Sequence, residues 1–340
     1  MSDRADPLRR LSPVVRLAPA KLNLTLAVIG RRDDGFHTLH SVFVPLTLAD
    51  RLSLAPAGGT RDTLHVSGLD AGPPDENLVL RALAATRAAV GRGWSGGSGP
   101  GSGSGPAPAL AARLDKRIPV AAGLAGGSSD AAATLDGAIE AWGAELDDEA
   151  RLAVAARLGS DVPFFLVGGP ALVEGRGEQV APLDGLRGAP GVVLVTPLIA
   201  VPTPDVFAAF DAIRSHGDGA VRMSSAHLAE ELRSGLTAET LVARAGVLAS
   251  ANDLLPATSL VVPALVPFKR ALSRLLKRPI GLSGSGPTLW ALYPSETAAA
   301  EGAAVVRAAL ANGGLSAPGS SEPFVAATAI VSHHQHGSEP

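Results

Sequence analysis

Four short segments carry residues whose types and spacing could do chemistry. The first runs from Pro119 to Ser129 (PVAAGLAGGSS) and leads into an apolar-periodic stretch that predicts a helix over 131–146. Gly123, Gly126 and Gly127 let backbone N–H groups approach an anion with no Cβ in the way. A helix beginning there adds unpaired N–H donors and the positive end of its dipole. That combination suits the phosphates of a nucleotide. Ser128 and Ser129 add hydroxyls for hydrogen bonding or a Mg2+ contact. The segment matches neither G-x-x-x-x-G-K-[ST] nor G-x-G-x-x-G. On these residues alone, a Gly-rich turn with Ser128 or Ser129 as N-cap accounts for the pattern equally well.

The second segment is Ala18 to Leu24 (APAKLNL), where Lys21 and Asn23 at i, i+2 share one face of a strand. Two polar groups on an otherwise apolar strand need partners, or else mark an exposed face. The third is Gly159 to Phe165 (GSDVPFF), with Asp161 set before a rigid Val-Pro step. A carboxylate fixed there could serve as a general base, or simply cap the next turn. The fourth is Gly281 to Thr288 (GLSGSGPT), a Gly/Ser connection between two strands. It could offer backbone N–H groups to a phosphate or substrate, or be a tight turn using Gly for positive φ.

The elements that must position these segments follow from periodicity. Leu22, Leu24, Leu26 and Val28 alternate with Asn23, Thr25 and Ala27, which predicts one half-buried strand. His40–Leu48 reads as a second strand, with Pro45 at an edge or bulge. Short strands are expected near 63–67 and 110–115, and a helix over 77–90 with Asn77 as N-cap. Leu135, Ile139, Trp142 and Leu146 form the buried stripe expected of the 131–146 helix. Another helix over 148–158 stops at Gly159. Later strands are expected near 171–174, 191–196, 280–284, 288–293 and 324–331. Helices are expected near 204–213, 224–233, 238–247, 263–276 and 296–311. This is an α+β pattern without a regular βαβ repeat.

Composition narrows the function classes. The 340 residues include 39 Gly and 27 Pro, too few for a low-complexity chain. The absence of Cys excludes thiol catalysis, disulfide scaffolds and Cys-ligated metals. A net charge of −3 and 4% aromatic residues give no support to nucleic-acid binding. The polar N-terminus has no apolar signal core, and Pro197, Pro202 and Pro204 break the most apolar window, so a cytoplasmic protein with no membrane span is expected. Residues 91–105 (GRGWSGGSGPGSGSG) read as a flexible Gly/Ser loop rather than a phosphate grip. The tail from Ser332, with its three His, reads as frayed.

Taken in order, the four segments resemble the small-molecule kinase superfamily of galactokinase, homoserine kinase, mevalonate kinase and phosphomevalonate kinase (GHMP), over about residues 16–295. The run from Ala20 to Leu24 followed by Gly35-Phe36-His37, then Ser160–Pro163 and Pro202–Phe207, is similar to the branch that phosphorylates a cytidine-diphosphate alcohol in non-mevalonate isoprenoid synthesis. The resemblance implies two domains: an ATP-binding domain like ribosomal protein S5 domain 2 over 12–170, and a ferredoxin-like substrate domain over 171–332, with the active site between them. It implies ATP as phosphoryl donor, Mg2+ as cofactor and a small-molecule acceptor.

Pro119, Val120, Ala121, Ala122, Gly123, Leu124, Ala125, Gly126, Gly127, Ser128 and Ser129 would wrap the ATP phosphates. Asp161 would take the proton from the acceptor's 2-hydroxyl, and Lys21 would hold Asp161 ionised. Asn23 and His37 would orient the substrate, Phe36 and Phe207 would sandwich the cytosine, and Thr203 would sit beside it. Ser283, Gly284, Ser285 and Gly286 would line the same substrate. The family more often has Gly where this chain has Ala121, Ala122 and Ala125, and Tyr where it has Phe36. Another kinase of the superfamily, or a non-catalytic nucleotide-binding regulator on the same fold, are the competing readings. The aromatic pair favours a cytosine.

Overall fold

A computed structural model describes residues 13–73, 76–91, 107–213 and 219–332. The expected flexible loop lies outside these residues from 92 onward, as do the tail beyond 332 and the N-terminus before 13. The first part contains β1 (Val14–Asn23), β2 (Ala27–Arg31), β3 (His37–Pro56), β4 (Thr63–Gly68), α1 (Leu78–Val90), β5 (Leu110–Lys116), α2 (Gly126–Trp142), α3 (Asp148–Leu158), α4 (Val162–Val167), β6 (Ala171–Gly175) and β7 (Gln179–Pro182). The second contains β8 (Gly191–Thr196), α5 (Thr203–Ile213), α6 (Ala220–Ser234), α7 (Ala238–Ala243), α8 (Ala245–Ser250), α9 (Leu255–Val261), α10 (Leu265–Leu276), β9 (Gly281–Leu282), β10 (Leu289–Tyr293), α11 (Glu296–Ala311) and β11 (Phe324–Ala329).

The first seven strands form one sheet organised around β3, which is long enough to pair with β2 and β6 along its first half and with β1 and β5 along its second. The expected boundary at 170/171 falls inside this sheet, because Ala171–Gly175 pairs with Phe43–Leu39. The expected single strand over 22–28 is two strands, broken by a bend at Leu24. It is not half-buried either. Every residue from Ala20 to Val28 is buried, the polar Lys21, Asn23 and Thr25 included. Pro45 lies in the central strand rather than at an edge. It faces Lys21 beside a bulge in β3 itself, where Leu46, Thr47 and Leu48 oppose the single residue Ala20 of β1, as the bulge alternative expected. Pro45 has no N–H to give, its carbonyl accepts from the Val331 N–H at 2.9 Å, and the Lys21 N–H donates to the Leu124 carbonyl at 3.0 Å.

The second sheet is antiparallel, in the order β11-β8-β10-β9. Alternation along β8 sends Val193 and Val195 towards α10 and α11, where Phe268, Leu272, Ala303 and Val306 cover them. Val192 and Leu194 face the other way and join Trp290 in a core that also holds Leu22, Val42, Ile118, Ala122 and Leu124. One continuous core therefore reaches from the second sheet to the Pro119–Ser129 segment. Among the described residues no helix is long and apolar enough to cross a membrane.

Helix α1 is capped by Asn77, whose side chain accepts from the Val79 N–H, as expected. Helix α2 starts at Gly126, five residues earlier than expected, and ends at Gly143. Leu146 therefore lies beyond the helix. Helices α4 and α9 and strand β7 have too few residues to declare themselves by periodicity.

Behind the Pro119–Ser129 segment, three buried charges meet. Lys116 Nζ donates to Asp130 at 2.7 Å and also to Asp50. Asp50 accepts in addition from the backbone N–H groups of Arg117 at 2.5 Å and Ile118 at 2.8 Å. The cluster pins the end of β5 to the start of α2. It also accounts for Gly126, where a Cβ would come within 2.9 Å of Ile118 and 3.0 Å of Lys116 Nζ. Burial lifts the Asp130 carboxyl to about 7. Lys116 pulls it down and Asp50 pushes it up.

Between about pH 4 and 7 the folded chain therefore holds a proton that the unfolded chain releases. This group's contribution to stability is lost as pH rises through that window. Asp130→Asn keeps the shape and cannot ionise. Its urea midpoint should be closest to that of the parent near pH 4 and exceed it increasingly up to pH 8. Equal midpoints at both pH values would exclude a protonated Asp130.

Candidate active site

The start of α2 is built to receive an anion. Its N-cap is Ala125, which has no side-chain oxygen to offer. Ser128 and Ser129 lie inside the first turns, so neither caps the helix as the plain-turn reading required. The Ser129 N–H makes the intrahelical bond to the Ala125 carbonyl. The amides of Gly126, Gly127 and Ser128 precede it, at the positive end of a 17-residue helix. Ala121 and Ala125 take positive φ, at 53° and 54°. Each left-handed Ala costs about 1 kcal/mol. Ala122 adopts no such conformation and points into the core with Leu124. Val120 is exposed and Pro119 buried.

The loop is held by its neighbour. The Ser283 hydroxyl donates to the Gly123 carbonyl at 2.9 Å, and the Thr288 N–H reaches the Ala122 carbonyl at 3.3 Å. Gly123 has φ 77°, and a Cβ there would lie 2.4 Å from the Ser283 carbonyl oxygen. No other residue fits. Asn252 fixes the 281–288 loop from behind, donating to the Leu282 carbonyl at 3.0 Å and the Gly284 carbonyl at 2.9 Å. Thr258 donates to the Ser285 carbonyl at 3.0 Å, and the Thr203 and Ser285 hydroxyls are 3.0 Å apart. Gly284 and Gly286 both have positive φ.

Lys21 sits at the junction. Its Nζ donates to Asn23 Oδ1 at 2.7 Å and lies 4.4 Å from the Phe43 ring centre. Asp161 is 3.8 Å away, an ion pair longer than a hydrogen bond. Burial pushes the Lys21 ammonium below its ordinary value, and Asp161 opposes that shift. Asn23 in turn donates to Ser41 at 3.0 Å. Asp161 occupies the N-cap position of α4, yet its side chain makes no capping hydrogen bond. The carboxylate is about one-third exposed. Ser128 faces the same turn, since a Cβ on Gly159 would lie 3.9 Å from its hydroxyl. The Ser129 hydroxyl is enclosed with no partner among the described residues.

A second cluster gathers around His37. Its ring stacks on Phe207 at 4.7 Å between centres, and its Nε2 lies 2.7 Å from Asp211 Oδ1. Arg31 approaches the other Asp211 oxygen at 3.5 Å. Phe36 is exposed at the hairpin tip with the Arg176 guanidinium 5.1 Å from its ring centre. The two aromatic rings that the resemblance pairs thus each rest on another partner. Asp211, Asn252 and Ser41 escape sequence reasoning. Each lies far along the chain from the residue it holds, or in a stretch without periodicity.

Among the described residues no three His, Cys, Asp or Glu side chains converge as a metal cage. Mg2+ typically keeps several waters and is held largely by substrate phosphates, so a hydroxyl beside a phosphate cradle fits its chemistry. The half-buried Ser128 meets that description.

Residues 77–169 match the model of the GHMP kinases N terminal domain. The chain is 37% identical over 281 residues to the 4-diphosphocytidyl-2-C-methyl-D-erythritol kinase of Pelotomaculum thermopropionicum, covering 82% of this chain and 88% of that protein. It is 38% identical over 306 residues to the enzyme of the same name from Methylorubrum extorquens, covering 88% and 96%. The crystal structure of a 4-(cytidine 5'-diphospho)-2C-methyl-D-erythritol kinase superposes with a TM-score of 0.65 at 31% identity, over 93% of this chain and 99% of that one. The two sheets and their helices are the α+β fold of GHMP kinases. With that similarity spread along nearly the whole chain, the protein belongs to the 4-diphosphocytidyl-2-C-methyl-D-erythritol kinase family of GHMP kinases.

Proposed function

We propose that the chain transfers the γ-phosphoryl group of ATP to the 2-hydroxyl of 4-diphosphocytidyl-2-C-methyl-D-erythritol, giving the 2-phosphate and ADP. The observation that carries this reading is the Lys21–Asp161 pair beside the uncapped start of α2. A regulator that only bound nucleotide would have no use for a buried lysine facing an uncapped, half-exposed carboxylate. Family membership supplies the acceptor.

Phosphoryl transfer asks the protein mainly to position the reactants and stabilise charge. In the mechanism, the amides of Gly126, Gly127 and Ser128 hold the ATP phosphates, and the α2 dipole favours their charge. Asp161 takes the proton as the 2-hydroxyl oxygen bonds to the γ-phosphorus, and the bond from that phosphorus to the bridging oxygen of ADP breaks. Lys21 keeps the carboxylate charged and faces the oxygens that gain charge. Mg2+ would neutralise phosphate charge, and Ser128 is the side chain that would hold it. Ser283, Gly284, Ser285 and Gly286 frame the acceptor with Thr203. Asn23 orients Lys21 and the acceptor together.

His37 and Phe207 take the cytosine end in this reading. With Asp211 accepting from His37 Nε2, the tautomer so fixed would keep Nδ1 as an acceptor. An acceptor suits the amino group of cytosine and does not suit the carbonyl of uracil.

Asp161→Asn should lower ADP release by about 10²- to 10⁴-fold, the usual worth of a general base, while the chain still folds and binds ATP. Most of the activity surviving would remove Asp161 as the base. Asp211→Asn should raise KM for the cytidylyl substrate about tenfold, with kcat and KM for ATP little changed. A rise in KM for ATP instead would separate Asp211 from the acceptor site. In a panel of alcohols with coupled ADP detection, the cytidylyl substrate should turn over, and homoserine and galactose should not. The reverse pattern would sink the assignment.

A further inference from the structure

Away from the site just described, two contiguous hollows open between α8, α9 and α10. Their volumes are about 480 Å³ and 280 Å³. Leu255, Lys269, Ser273 and Ile280 line both, so Lys269 stands at the join. The larger hollow lies in the range typical of small-ligand sites. Its walls are mostly apolar, with Val221, Ala249, Pro256 and Pro279 among them.

Two cations, Lys269 and Arg270, and one carboxylate, Asp253, line these hollows. Between Asp253 and Glu296 the sequence has five basic residues, Lys269, Arg270, Arg274, Lys277 and Arg278, and no acidic residue. The whole chain nevertheless carries a net charge of −3. Arg278 lies on the Tyr293 ring, 4.2 Å from its centre, and donates to the Leu292 carbonyl at 3.1 Å. Lys269 and Arg270 have no ion-pair partner among the described residues. Lys269 is half-buried, and burial alone pushes its ammonium below the ordinary value, with no carboxylate pulling it back. The other polar groups on the walls are already committed. Ser273 donates to the Arg278 carbonyl at 2.8 Å, Ser259 to the Leu255 carbonyl at 2.7 Å, and Asp253 accepts from the Val28 N–H at 2.9 Å.

A half-buried cation without a counter-ion is costly unless an anion joins it. Apolar walls around that cation favour an anion with a hydrocarbon part. We propose that the hollow between α8, α9 and α10 is a second binding site, taking a small amphiphilic phosphate monoester with its phosphate on Lys269 and Arg270 and its apolar part against Leu255, Pro256 and Ile280. Asn252 lines the larger hollow and holds the Leu282 and Gly284 carbonyls, so occupancy there abuts the back of the 281–288 loop. The site is separate from the phosphate cradle of α2 and does not depend on which alcohol the enzyme phosphorylates.

The test is calorimetric titration of the full chain with n-hexyl phosphate, with inorganic phosphate, and with vesicles of phosphatidylglycerol in phosphatidylcholine. Hexyl phosphate should bind one per chain in the presence of saturating ATP, and more tightly than inorganic phosphate. Lys269→Met, which keeps the aliphatic stem, should weaken it tenfold or more, and Lys269→Arg should retain it. Kinase activity without hexyl phosphate should be the same in both variants. Displacement of hexyl phosphate by ATP would place it in the nucleotide cradle and overturn the proposal. So would equal affinity in Lys269→Met, no binding at all, or binding to the vesicles alone.

Discussion

A lysine ammonium enclosed in protein is the constraint around which this molecule is arranged. Lys21 is 4% exposed, and taking an isolated ammonium out of water costs several kcal/mol unless partners replace the solvent. Asn23, the Phe43 ring and Asp161 are those partners, and each comes from a different element. Where β1 loses register with β3 the Lys21 amide donates to Leu124, so the same residue that carries the charge also anchors the 119–129 loop. Ser283 then closes the ring of contacts by touching both Asn23 and Gly123. Chemistry and architecture are one network here. Asp161, the 119–129 loop and the 281–288 loop cannot shift separately.

The sequence made some of this plain and hid the rest for physical reasons. Helices α1, α3 and α11 carry caps and periodic apolar residues, which are local signals, and they form where periodicity puts them. The four chemical segments are also local, each within a dozen residues. The burial of Lys21 and Asn23 was not legible. Alternation over 22–28 implied one wet face, whereas the chain covers both faces of β1 with elements more than 100 residues distant. The early start of α2 was hidden by glycines, whose low helix propensity reads as a loop. Tertiary contacts with Lys116 and Ile118 overrule that propensity.

The left-handed alanines Ala121 and Ala125 bear on how tightly the cradle is set. A glycine loop visits many backbone conformations in the unfolded chain, and alanine restricts them. This chain accepts local strain of about 1 kcal/mol at each position. The compensation is the packing of Ala122 and Leu124 in the central core, which over-determines the path of the loop between them. The path of the loop is therefore set by core packing rather than by its own backbone preference.

The core shared by Leu22, Ile118, Leu124, Val192, Leu194 and Trp290 ties the two sheets together beneath the cleft. Jaws that open about a hinge need a seam that water can enter, and here the floor is dry and close-packed. Each part keeps a core of its own, around Leu52, Leu83 and Leu114 in the first and around Val193, Phe268 and Val306 in the second, so severing the chain between β7 and β8 would leave two fragments that each expose their half of the shared core.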